Sequence, residues 1–361
     1  MAPRPGNNII NYLLWPFAII YGLITGIRNK LFDYSIIRSI EFDIPVISIG
    51  NITVGGTGKT PFVEFLVSFL KNEFKVAILS RGYKRKTNDF ILVKKHSTVA
   101  EVGDEPLQIK KKFPESIVAV DKQRIHGIRK LLTEYAGLDI ILLDDAFQHR
   151  YVKPGLSILL IDYNQQISTD HYLPFGRLRD NPVELKRAHI IVVTKCPDNM
   201  KPIDQRLILK DLKLFAYQKL FFTRINYDKI KPVFKTNSDN ISNETFKKDK
   251  FDILIVTGIA NSRPLRKHIR SLSPRIMELK FPDHHFFSKK NFNAIKETFE
   301  KIENANKVII TTEKDTMRIL EYQNILQPEK KFWYYIPIKV VFFDNKDELF
   351  KNHIINYVKK N

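Results

Sequence analysis

Short unbroken apolar runs recur along this chain, each followed by a stretch with helical spacing. Residues 45–50 (Pro-Val-Ile-Ser-Ile-Gly) read as a buried strand and 61–70 as the helix behind it. Val76–Ser80, Ile117–Val120, 140–143, 158–161 and 190–193 repeat the pattern with Ile, Val and Leu. Continuous β-branched runs, rather than alternating ones, predict strands buried on both faces, hence a parallel sheet with helices on each side. Residues 226–250 break the rhythm with Lys, Asn, Ser and Asp, as a linker or exposed hairpin does. The pattern then resumes at 251–256, 307–310 and Trp333–Ile336. The organisation predicted is α/β throughout: an N-terminal helix (1–38), a larger domain (39–225), the connector (226–250) and a smaller α/β domain (251–361).

The first segment differs in kind. No charged residue occurs from Pro5 to Ile27, and Ile9–Ile24 is strongly apolar, with Arg28, Lys30 and Arg38 directly after it. About 20 apolar residues span a bilayer core, and the following cations would place the body of the protein on the cytoplasmic side. Asn11, Pro16, two glycines and the internal Trp15, Tyr12 and Tyr21 suit a helix lying in the interface equally well. A buried core helix is the third reading. The lone Arg4 and the absence of a small-residue cleavage site count against a signal peptide.

The 361 residues carry 59 Lys+Arg against 39 Asp+Glu, a formal charge of +20. Such a chain is drawn to nucleic acid, anionic lipid or phosphorylated substrates. No helix-turn-helix, zinc or RNA-recognition signature accompanies the charge, so no nucleic-acid partner is expected. The single cysteine, Cys196, excludes a disulfide-stapled secreted domain.

Between the first strand and its helix lies Thr53-Val54-Gly55-Gly56-Thr57-Gly58-Lys59-Thr60, the Walker A spacing with Thr53 at the first glycine position. Glycines let backbone N–H groups turn toward phosphate oxygens, and the helix presents its positive end. Lys59 would reach the β- and γ-phosphates and Thr60 would hold Mg²⁺. The strand at 140–143 ends in Asp144-Asp145, the acidic partner such a loop needs; capping a helix is the alternative use of that pair. Together they predict a P-loop NTPase-type domain using an NTP with Mg²⁺. The guanine-reading Asn/Thr-Lys-x-Asp pattern is missed by one residue at Thr194-Lys195-Cys196-Pro197-Asp198 and is absent at 312–315, which argues against GTP.

Further motifs follow in order: Ser80-Arg81-Gly82-Tyr83, Gly103-Asp104-Glu105-Pro106, Asp144-Asp145-Ala146-Phe147-Gln148-His149, Pro174-Phe175-Gly176-Arg177-Leu178-Arg179, Pro282-Asp283-His284 and Thr311-Thr312-Glu313-Lys314-Asp315. As far as about Asp315 this set resembles the tetraacyldisaccharide 4′-kinase family of Gram-negative bacteria. The resemblance implies a kinase of two α/β/α domains joined by a β-hairpin linker, with an N-terminal helix at the cytoplasmic face of the inner membrane. It implies transfer of the γ-phosphate of ATP to the 4′-hydroxyl of a tetraacyldisaccharide 1-phosphate, giving lipid IVA, next to an anionic membrane surface. Ala146 stands where many relatives carry glycine.

The acceptor hydroxyl must lose a proton, and the resemblance makes Asp104 the base, with His284 as its partner. The rival reading of 103–106 is a capped helix start. Adjacent histidines on a strand point to opposite faces, so His284 and His285 are not expected to share a metal. His149 would support the metal-binding carboxylates, or sit on the surface. Arg177, Arg179 and Arg81 would grip phosphate of ATP or of the substrate, or line a solvated basic loop.

Overall fold

The computed structural model describes residues 13–165, 167–234, 245–246, 250–324, 326 and 329–361. Two sheets organise the chain. The strands of the larger are β1 (Val46–Gly50), β2 (Val76–Ser80), β3 (Ile91–Leu92), β4 (Ile117–Val120), β5 (Ile140–Asp144), β6 (Leu156–Asp162), β7 (Ile190–Thr194) and β8 (Lys219–Tyr227), joined late by β14 (Ile338–Phe342). Their order is β14-β8-β7-β6-β1-β5-β2-β4-β3, parallel except for the edge strands β14 and β3. The smaller sheet comprises β9 (Lys231–Pro232), β10 (Asp252–Thr257), β11 (Ile276–Lys280), β12 (Lys307–Thr312) and β13 (Trp333–Ile336) in the order β11-β10-β12-β13-β9, with only β9 antiparallel.

The apolar runs fill both faces, as double burial requires. On β5, Ile140 and Leu142 enter one core with Phe62, Leu66 and Leu70 of the helix Lys59–Leu70, while Ile141 and Leu143 enter the other with Ile128 and Leu131 of Arg124–Glu134. Parallel strands gather their carboxyl ends on one edge, where ligands bind in open α/β sheets.

The division at 251–361 needs correction. β14 pairs antiparallel with β8, and the last helix, Asp347–Lys360, sets Phe350, Ile354 and Val358 into the larger sheet's core. The chain thus crosses to the smaller sheet after β8 and returns at Pro337, and the two crossings are tied where Asp228 N–H donates to the Pro337 carbonyl at 2.9 Å. The predicted connector contains the end of β8 and all of β9; 235–244 and 247–249 lie outside the described residues.

The N-terminal helix spans Trp15–Asp33. Ala18, Asn29 and Phe32 pack inward at helical spacing, Tyr21 O–H donates to the Arg179 carbonyl at 3.1 Å, and Asn29 donates to Asp180 at 2.7 Å. Trp15, Phe17, Ile20, Leu23, Ile24 and Ile27 remain 53–61% exposed. Among the described residues no helix is long and apolar enough to cross a membrane; residues 1–12, which carry the start of the apolar segment, lie outside them.

Candidate active site

The phosphate loop leaves β1 and enters the helix at Lys59 through Gly58, whose φ of +87° is a left-handed conformation open to glycine and costly for residues with a Cβ. The loop is stitched at both ends. Val54 N–H donates to the Arg177 carbonyl at 2.8 Å and Arg179 N–H to the Ile52 carbonyl at 2.8 Å, so 177–179 run beside its entry. Thr194 Oγ1 donates to the Thr57 carbonyl at 2.7 Å at its far side. Gly55 and Gly56 face solvent, whereas the hydroxyl of Thr57 is buried with no partner among the described residues.

Lys59 Nζ lies 3.1 Å from Asn51 Oδ1 and 3.5 Å from Asp145 Oδ1. Arg179 grips Asp145 with both terminal nitrogens, at 2.8 and 3.3 Å, and also reaches Asn51. Gln148 donates to the Asn51 carbonyl at 2.8 Å. Burial alone would raise the Asp145 pKa, but Lys59 and Arg179 outweigh it and hold the carboxyl far below its ordinary value.

Asp144, the last residue of β5, is in the opposite state. It is 1% exposed, Ser80 Oγ donates to its Oδ2 at 3.1 Å, and its Oδ1 is buried with no partner among the described residues. Burial first, then Glu105 and Asp145, push its pKa up to about 7. A buried carboxylate oxygen left open beside a phosphate loop fits a hard cation, with the Thr60 hydroxyl and phosphate oxygens completing an all-oxygen set. No cluster of three or more His, Cys, Asp or Glu side chains offers a protein-only metal cage among the described residues.

Asp104 opens the helix Asp104–Lys112 directly after Gly103, whose φ of +87° reverses the chain out of a preceding turn of helix, Val99–Val102. A Cβ there would meet the Tyr83 carbonyl at 3.1 Å. Asp104 is buried, and its Oδ2 accepts from His284 Nδ1 at 2.9 Å across 180 residues of sequence. Arg318 forms a close ion pair with the same oxygen and a second with Asp315 at 3.2 Å. Lys314 Nζ stands 3.0 Å from Glu105 and 3.0 Å from His284 Nε2. Asp104 and Glu105 belong to the larger sheet's crossover, His284 follows β11, and Lys314 and Arg318 follow β12, so the cluster is built from the carboxyl ends of both sheets.

The remaining candidates divide. His285 stacks on Phe281 and pairs with Asn291 at 3.0 Å, a packing role. His149 contacts the Tyr151 ring and makes no hydrogen bond to Asp144 or Asp145 among the described residues; burial, then Arg124, Arg28 and Arg81, lower its pKa to about 4. Arg81 is exposed on that side. Arg177 contributes its backbone to the loop's entry, and its guanidinium makes no ion pair among the described residues. Sequence reasoning gave no role to Asn51, Gln148 or Lys314, although the last two sit inside quoted motifs, and it missed Arg318. The only signal for Arg318 is its spacing, one helical turn beyond Asp315.

A phosphate loop, an acidic strand end and a buried carboxylate–histidine pair, set at the carboxyl ends of two α/β sheets, define a P-loop phosphotransferase. The chain belongs to the tetraacyldisaccharide-1-P 4′-kinase family, whose sequence profile matches residues 10–358. It is 46% identical over 359 residues to tetraacyldisaccharide 4′-kinase of Phocaeicola vulgatus, covering 99% of this chain and 98% of the relative. The identity with the Flavobacterium johnsoniae kinase is 43%, covering 98% and 99%. Its fold is similar to a crystal structure of LpxK from Aquifex aeolicus in complex with ATP, with a TM-score of 0.74 and 26% identity, covering 97% of this chain and all of that one.

Proposed function

We propose that this chain catalyses ATP-dependent phosphorylation of the 4′-hydroxyl of a tetraacyldisaccharide 1-phosphate, a step of lipid A biosynthesis, with Asp104 as the general base. The observation that carries the residue assignment is the Asp104–His284 contact beside Glu105, which itself lies near enough to Asp144 to repel it. That proximity supports a base on the Asp144 side of the phosphate loop, where the acceptor hydroxyl would meet the γ-phosphate.

Free backbone N–H groups of 55–60 cradle the phosphates, and Lys59, aimed by Asn51 and Asp145, neutralises the β- and γ-oxygens. Thr60 and Asp144 would hold Mg²⁺, which would supply charge neutralisation at the transferring phosphoryl group. Asp145, already paired with Lys59 and Arg179, orients those two cations instead of ligating the metal directly. Arg177 and Arg81 would grip the substrate's phosphate, and His149 lies near Arg81 together with Arg124 and Arg28. Asp104 takes the hydroxyl proton as the O–P bond forms, while Arg318 and His284 fix its carboxylate.

The exposed apolar side of Trp15–Asp33 seats in the interfacial layer of the inner membrane's cytoplasmic face, and the excess of lysine and arginine favours an anionic surface. The membrane-facing helix, a phosphate-loop unit and a smaller unit meeting it at 228–230 and 337 form the functional division. The test is kinetic. Asp104→Asn should lower kcat by about 10²-fold or more, the usual contribution of a general base, with ATP affinity unchanged within about 2-fold. Near-normal kcat would remove Asp104 from the proton transfer.

A further inference from the structure

Lys314, the one cation of the 311–315 motif, has no part in the chemistry above, yet it touches the pair that performs it. Its ammonium is held between Glu105 Oε1 and His284 Nε2, each at 3.0 Å, and is 3.9 Å from Asp104 Oδ2. An ammonium only donates, so Nε2 must present its lone pair. The other ring nitrogen lies 2.9 Å from an Asp104 carboxylate oxygen, which only accepts, and 3.2 Å from Arg318 Nη2, which only donates. A neutral imidazole has one N–H; with the Nε2 lone pair taken by Lys314, that proton sits on Nδ1, toward the nearer Asp104 oxygen.

We propose that Lys314 is a positioning residue that fixes His284 as the neutral Nδ1–H tautomer and thereby keeps Asp104 a free base. This rests on the assignment of Asp104 as base. A second proton on His284 would set an imidazolium against an Asp104 oxygen that Arg318 already holds, and with two cations on it the carboxylate would be a weaker base toward the acceptor hydroxyl. The groups facing the ring are Asp104, Arg318 and Lys314, with Asp283, Glu105, Lys84 and the Tyr83 ring around it. Asp104, Asp283 and Glu105 invite the second proton; the ammonium against Nε2 opposes it at the one nitrogen free to take it. Burial first, then Lys314, hold the His284 pKa below its ordinary value, in agreement with that geometry.

The test reads the ring directly, by ¹⁵N-resolved NMR of the full chain in detergent, with His284 assigned by its loss in His284→Gln. The wild-type protein should show the Nδ1–H tautomer and a low titration midpoint. Lys314→Met should admit the other tautomer and raise the midpoint by roughly one unit or more, the range of a close charge. The acid limb of kcat should move upward by the same amount while KM for ATP stays. Lys314→Arg should restore both. Lys314→Gln, which keeps a donor for Glu105 without the charge, serves if Lys314→Met does not fold. An unmoved midpoint and tautomer in a folded neutral variant would overturn the proposal. The NMR result is independent of turnover, so normal kcat in Asp104→Asn would sink the base assignment and leave the tautomer question separately answered.

Discussion

Two carboxylates next to each other in sequence, Asp144 and Asp145, are put to opposite uses by what surrounds them. Asp145 is ionised and shared by Lys59 and Arg179, while Asp144 keeps one buried oxygen open. Removing the cation that holds Asp145 should therefore be felt at the phosphate loop. Arg179→Ala should weaken ATP binding by roughly 10-fold, the order expected for a charge-assisted hydrogen bond of about 1.5 kcal/mol, as read by calorimetry. Unchanged affinity would mean that Lys59 needs no such alignment. At this scale the loop and the Asp pair were readable as spacings that chemistry restricts, whereas Asp104 and His284 were singled out by the family resemblance alone. Arg318 was not, since only the folded chain brings it 214 residues back to Asp104.

Helices carry the same logic between the sheets. Lys112, at the end of Asp104–Lys112, pairs with Glu64 of the phosphate-loop helix at 2.7 Å and with Glu313 of the smaller unit at 3.0 Å. Burial works against the lysine's charge, but the two glutamates raise its pKa. Glu64 is pushed up to about 7, by burial first and then by Glu313. A carboxyl that binds its proton more tightly folded than unfolded stabilises fully below its unfolded value of 4.5 and loses that contribution as pH rises to about 7. Across this window the melting temperature of the nucleotide-free wild type should fall relative to that of Glu64→Gln; Asp144, raised to about 7, and His149, lowered to about 4, pull the pH slope in opposite directions in both proteins alike and cancel in the comparison. An identical slope in Glu64→Gln would show that Glu64 is ionised throughout. The strands were legible as elements because buried parallel strands write themselves as β-branched runs. The return of β14 and the last helix to the larger sheet was not, because an antiparallel edge strand such as 338–342 carries no mark of which sheet it will join.

For the whole molecule, one side of the N-terminal helix holds the body through Tyr21, Asn29 and Phe32, and the other offers Ile20, Leu23 and Ile24 to the surroundings. Leu23→Asp with Ile24→Asp should reduce co-sedimentation with anionic vesicles by roughly 10-fold or more, at about 1.5–3 kcal/mol for each apolar side chain lost from the interface. ATP binding should be unaffected. Full vesicle binding in that variant would assign membrane contact elsewhere. The apolar segment was legible from its lack of charge; which side of it the body covers was not, because nearly every position from 13 to 27 is apolar. The reaction itself can be read directly. Detergent-solubilised protein with Mg²⁺ and γ-labelled ATP should move label to the 4′-position of tetraacyldisaccharide 1-phosphate, and Lys59→Ala should abolish the transfer. ATP hydrolysis with no label in the lipid would contradict it.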